Sequence, residues 1–243
     1  MGKSGRQMLR ALMEGSTDTT EMAQLARGKL RAKIPQLEQA LRGCFGAHQR
    51  FLIAQQLAHI DFLEETIEQL SAEIAERMRP LEEALERLET IPGVGRRTAE
   101  AILAEIGADM SRFPTAGQLA SWAGMCPGNN QSGGKRRGGK TSKGDPWLRA
   151  ALVEAAHAAG RTRNTYLSAQ YRRLASRRGK KRAAVAVGHT ILVIAYHLLE
   201  RSCDYEELGG DYFDKRDRQF VERRLVRRLE GLGYKVSLDP VAA

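Results

Sequence analysis

The sequence predicts an all-α protein, in which a long coiled-coil-like helix precedes a compact helical domain. Three observations carry this. Apolar residues recur at three- and four-residue steps along much of the chain, continuous strand patterns are nearly absent, and glycine and proline break the N-terminal part into short pieces. At 243 residues the chain is long enough for one large domain or two modest ones.

Charge and cysteine content narrow the function classes. Lys and Arg number 39 against 29 Asp and Glu, a formal charge of +10 that favours a polyanionic partner, most simply nucleic acid. Cys44, Cys126 and Cys203 are far apart and form no CxxC pair, which argues against a disulfide framework or a zinc site. The first residues lack the apolar core of a signal peptide, and the most apolar run, 183–199, carries His189 and His197 and reads as a buried helix rather than a membrane span. The expectation is a soluble cytoplasmic protein with no membrane partner.

Residues 1–50 read as short helices. Gly15-Ser16-Thr17-Asp18 offers an N-cap, with Glu21 three residues after Asp18. Residues 51–87 read as a coiled-coil-like helix, with Ile60, Leu63, Ile67, Leu70 and Ile74 at alternating steps. Met78, Leu81, Leu85 and Leu88 continue the stripe after a phase shift near Pro80, which should kink the helix or open a new one. Between Glu64 and Glu89 stand nine acids and three bases, so this segment is expected to mediate self-association rather than touch DNA. A dimerising coiled coil, an intramolecular antiparallel one and an ordinary amphipathic helix all fit two clean heptads.

Residues 88–203 read as one domain. It opens with a helix-hairpin-helix pattern at 88–107, centred on Ile91-Pro92-Gly93-Val94-Gly95. Gly93 and Gly95 permit a tight turn, Val94 points inward, and the amides opening the second helix face a phosphate oxygen. Arg96 and Arg97 add charge there. Such a contact positions a nucleic acid without reading its sequence. Thr115 then caps a short helix through Trp122, which reads as a core anchor.

The polar stretch 122–149 follows, with its loop at 124–145. Seven glycines alternate with Lys135, Arg136, Arg137, Lys140, Lys143 and Arg149, against the single acid Asp145. Exposed amides and cations together suit a phosphate backbone. Ser132 precedes Gly133-Gly134. On composition alone the loop reads first as a flexible basic segment with an incidental serine. An alanine-rich helix (146–160), a polar helix (164–178), the basic Gly179-Lys180-Lys181-Arg182 and the apolar helix 183–199 complete the domain, and a charged tail covers 204–243.

The acids show no shared metal-ligand spacing, and the histidines read as packed or hydrogen-bonded residues, so no metal site is expected in this chain. Ser132 is the remaining nucleophile. Its hydroxyl could form a phosphodiester with DNA, with Lys135, Arg136 and Arg137 neutralising the phosphorane, but no base is evident.

The run from IPGVGRRTAEAILAEIG through RFPTAGQLASWAGMCPGNNQSGGKRRGGKTSKGDPWLRAALVEAA to RGKKRAAVAVGHTILVIAYHLL resembles the C-terminal domain of the IS one-ten group of bacterial transposases, which includes the Piv DNA invertase. The likeness covers about residues 88–201, and the preceding helix resembles that family's coiled-coil connector. The resemblance implies Ser132 at the nucleophile position, DNA element ends and target as partners, a structured guide RNA for some members, and self-association through the coiled coil. It also implies an N-terminal RuvC-like domain whose four acids hold Mg2+, and that domain is expected to be missing here. The expectation is a truncated copy that binds nucleic acid and does not recombine DNA alone. The rival reading is a non-catalytic nucleic-acid-binding and oligomerisation module, and a general basic RNA-binding protein is a third.

Overall fold

The computed structural model describes residues 2–43, 46–128, 130–138 and 141–238, and divides the chain into two compact units at Arg77/Met78. Helix predominates, as the sequence predicts, with one short hairpin added.

The first unit holds α1 (Lys3–Met13), α2 (Thr19–Gln24), α3 (Ile34–Leu41) and most of α4 (Ala47–Met78). Asp18 caps α2, accepting from the amides of Thr20 at 2.8 Å and Glu21 at 3.1 Å. Met8, Leu12, Met22, Ala23 and Leu57 are buried. Arg6 reaches Glu64 at 2.7 Å and Asp61 at 3.1 Å, and Arg10 reaches Asp61 at 3.2 Å, tying α1 to α4. Beyond that point α4 is uncovered within its unit. Leu63, Ile67, Leu70 and Ile74 are 43, 60, 58 and 37% exposed, an apolar stripe on a 32-residue helix.

Pro80 ends that helix. It lies in a single tight turn, Arg79–Leu81, after which α5 (Glu82–Glu89) starts as a separate helix, because proline supplies no amide to continue the ladder. Leu85 and Leu88, read from sequence as the stripe's continuation, are fully buried in the core of the second unit instead.

In that unit α10 (Lys180–Arg201) packs against α5, α7 (Ala116–Trp122), α8 (Pro146–Ala159) and α9 (Tyr166–Arg178), while α6 (Arg96–Ile106) packs on α5 and α8. α10 is long and apolar enough to cross a membrane by length and composition, but Ala184, Val187, Ile191, Leu192 and Ala195 are buried against these neighbours. A side chain at Gly188 would meet Leu152 backbone, so the small residue sets the α8–α10 spacing.

His157 meets the Tyr171 hydroxyl at 3.2 Å, His197 meets Glu200 at 3.1 Å, and burial lowers the pKa of half-buried His189. Trp122 departs from expectation. It is 46% exposed and lies on Phe113 at the surface, because Leu119, Ala120 and Ala123 occupy the inner face of α7. The first part of the charged tail packs back on the core. The Tyr205 amide donates to Thr90 Oγ1 at 3.0 Å, and Glu207 accepts from the Tyr166 amide at 2.7 Å. In α11 (Tyr212–Arg216), Tyr212 and Phe213 both pack on Tyr166; α12 (Arg218–Glu230) follows.

Candidate nucleic-acid interface

α5 and α6 are joined by a turn whose apolar residues are inside: Ile91 is fully buried and Val94 nearly so. Gly93 has φ +92°, and a Cβ there would stand 2.5 Å from both Ala155 O and Ala159 N. The turn therefore rests directly on the backbone of α8. Gly95 is different: its backbone is extended, it is exposed, and nothing lies within 4 Å of a Cβ built there. No side chain caps the amides that open α6, so they stay available at this open corner.

The two arginines there are not equivalent. Arg96 grips Glu82 with both terminal nitrogens at 2.6 Å, and reaches Glu100 at 3.4 Å and Glu89 at 3.9 Å. This network raises the Arg96 pKa and, through the Arg96 hydrogen bond, holds the Glu82 carboxyl below its ordinary value of 4.5. Arg96 thus braces α5 against α6, and its charge is largely answered within the protein. Arg97 is 59% exposed and meets the buried Glu100 at 2.9 Å.

The direction of the Glu82 shift fixes a pH dependence. Its stabilising contribution is complete above pH 4.5 and is lost as pH falls through the lower folded value. Acid titration of thermal stability should show this loss below pH 4.5 in wild type and a shallower one in Glu82→Gln.

The glycine-rich loop contains a two-stranded antiparallel hairpin, β1 (Asn130–Ser132) and β2 (Lys135–Gly138), with Ser132 opposite Lys135. Gly133 and Gly134 have φ +56° and +73°, the two left-handed residues that a type I′ hairpin turn requires. Ser132 and Lys135 therefore flank the tip, both exposed. Facing positions in such a pair hold their Cβ atoms within about 5 Å. Among the described residues Ser132 Oγ has no hydrogen-bond partner. Lys140 and the side chains of Arg136 and Arg137 lie outside the described residues.

The stems of the loop cross at Gly124 and Gly144. A Cβ on Gly124 would fall 2.5 Å from Gly144 N, and one on Gly144 would run into Gly124 N and Ala123 O, so only glycine permits this backbone crossing. Next to it Asp145 caps α8, accepting from the Leu148 amide at 2.7 Å. Burial, and then the neighbouring Asp145 carboxylate, push the Glu105 pKa upward. Among the described residues no three His, Cys, Asp or Glu side chains gather to hold a metal ion. Lys143 is exposed and Arg149 half-exposed, neither with an ion pair among the described residues.

Two features here escape sequence reasoning. Trp147, in the first turn of α8 between Lys143 and Arg149, is 76% exposed, and its position beside the basic loop is the one signal that points to it. The influence of Asp145 on Glu105 links residues 40 positions apart and leaves no sequence signal.

Residues 85–172, which span the α5–α6 turn, the hairpin and α8, match the family model described as the IS116/IS110/IS902 transposase family. Over these residues the chain is similar to the transposase domain of that family. A probable family 20 transposase of Pseudomonas aeruginosa is 32% identical over 153 residues, 59% of this chain and 45% of that protein. The transposase for insertion sequence element IS1111A of Coxiella burnetii is 33% identical over 127 residues, covering 51% and 35% respectively. A pilin gene-inverting protein of Moraxella bovis is 30% identical over 123 residues, covering 49% and 38%. The matches thus span less than half the length of each of these relatives.

Proposed function

We propose that the chain acts in DNA transposition or site-specific recombination, binding DNA through the α5–α6 turn and the basic hairpin loop, with Ser132 as nucleophile. The turn serves as a helix-hairpin-helix: the uncapped α6 amides at the open Gly95 corner donate to a phosphate oxygen, and Gly93 and Val94 hold the turn on α8. Lys135, Lys143 and Arg149, together with Arg136, Arg137 and Lys140 of the same stretch of sequence, supply the cations for the phosphate backbone. Element ends and target are the DNA partners, and a structured guide RNA is a further partner suggested by the family resemblance.

The single observation that carries this reading is the position of Ser132. It stands exposed at the tip of a hairpin whose turn is fixed by Gly133-Gly134 and whose stems are locked at Gly124/Gly144. In the step proposed, Ser132 Oγ attacks a DNA phosphorus, the P–Oγ bond forms, and the bond to the sugar oxygen breaks. The serine proton ends on that leaving oxygen. The phosphoester keeps the bond energy for rejoining, and the cations offset charge on the phosphorane. Mg2+, when bound by acids outside this domain, would supply further charge neutralisation. The exposed apolar stripe of α4 supports self-association, and the working compartment is the cytoplasm.

A non-catalytic nucleic-acid-binding and oligomerisation module is the second reading. It is favoured by the absence, among the described residues, of a hydrogen-bond partner on Ser132 that could take its proton. A denaturing-gel assay with labelled element-end DNA and Mg2+, with and without a supplied acid-bearing RuvC-like domain, separates the two. A covalent adduct mapped to the peptide containing Ser132 is the expected result when that domain is present. DNA binding without any adduct would leave the binding module.

A further inference from the structure

We infer that the corner between α9 and α10 is a second DNA contact, built from Arg177, Arg178, Lys180, Lys181 and Arg182. This rests on the DNA-binding part of the proposed function and not on serine chemistry. All five side chains are exposed, and none has a hydrogen bond or ion pair among the described residues. The contrast with Arg96, held by Glu82, is direct: there a cation serves the fold, and here five cations serve nothing in it.

The corner is also rigid. Gly179, at φ +83°, donates its amide to Ala175 O at 3.0 Å and accepts from the Ala183 amide at 3.1 Å, ending one helix and opening the next. Ala183, Ala184 and Val187 are buried directly behind the patch. Arg177 and Arg178 sit in the last turn of α9, where a helix favours cations. Lys180, Lys181 and Arg182 sit in the first turn of α10, where it favours anions, and neither an acid nor a side-chain cap offsets them. Three cations at the positive end of a 22-residue core helix oppose stability. A phosphate backbone laid across the corner relieves both the mutual repulsion and the conflict with the helix end. The geometry fixes no base-edge contact, so this surface adds affinity and direction without sequence preference.

The test compares the full chain with Lys180→Gln/Lys181→Gln/Arg182→Gln on a 30-bp duplex of arbitrary sequence, by fluorescence anisotropy between about 50 and 200 mM salt. The variant should bind at least about tenfold more weakly, and its slope of log affinity against log salt should be shallower by about two to three, near 0.9 for each phosphate no longer neutralised. Its Tm should hold or rise by about 1–3 °C, because the conflict at the α10 end is removed. A control of equal charge change, Arg223→Gln/Arg224→Gln/Arg227→Gln, should alter the slope by less. Equal effects of the two triples would overturn the site in favour of net charge alone, and a loss confined to duplex RNA would overturn DNA as its partner. A Tm fall of several degrees would assign the cations to the fold. Wild-type protein that fails to bind duplex DNA would overturn this site and the DNA reading together, whereas unchanged binding by the variant would overturn this site alone.

Discussion

Replacing Ser132 by alanine abolishes the covalent protein–DNA product, lowering its yield by at least about three orders of magnitude, and leaves duplex binding unchanged. The two outcomes separate because Ser132 is exposed and makes no hydrogen bond among the described residues. The substitution removes the attacking oxygen and nothing that holds the hairpin. A graded companion is Gly134→Ala, which keeps the hydroxyl but places a side chain at φ +73°. That residue prefers to leave the left-handed region by about 1–2 kcal/mol, so the tip loosens and adduct yield falls without vanishing. Adduct persisting in Ser132→Ala would move the nucleophile elsewhere.

Gly93→Ala should strongly destabilise the second unit. The added carbon would stand 2.5 Å from Ala155 O and Ala159 N and 2.8 Å from Ala159 Cβ, against a helix backbone that cannot swing aside. The φ of +92° adds conformational strain. Combining strain with overpacking gives a loss of about 2–5 kcal/mol. For a unit of this size that corresponds to a Tm lower by about 5–15 °C, readable by circular dichroism. Gly95→Ala is the internal comparison. Its backbone is extended and its Cβ meets nothing, so Tm should stay or rise slightly. The same methyl stands before the α6 amides and should weaken DNA binding. Equal destabilisation by both changes would mean that the packing of this turn on α8 is unimportant.

The helical class is legible in the sequence because its signals are local. Asp18 and Thr115 cap helices at the expected positions, Thr115 accepting from the Gln118 amide at 3.2 Å, and Pro80 breaks the long helix. Val94 is inside the turn as its apolar character requires. What is not legible depends on distant partners. Nothing in Ile-Pro-Gly-Val-Gly reveals that Gly93 lies against α8, or that Glu82, fourteen residues before Arg96, holds that arginine's charge. Leu85 and Leu88 share the spacing of the α4 stripe, yet the turn at Pro80 sends them into a different core. Gly133-Gly134 does carry a local hairpin signal, which the density of glycines and cations around it obscures.

The crossing at Gly124 and Gly144 makes the glycine-rich loop an excursion that leaves and returns at one point of the scaffold. The two stems meet whether the segment between them is long or short, and closing a longer loop adds only about 0.6 kcal/mol per doubling of its length. The reach and charge of the serine hairpin can therefore change without repacking α7 or α8. In engineering terms it is a cassette, replaceable between two fixed glycines.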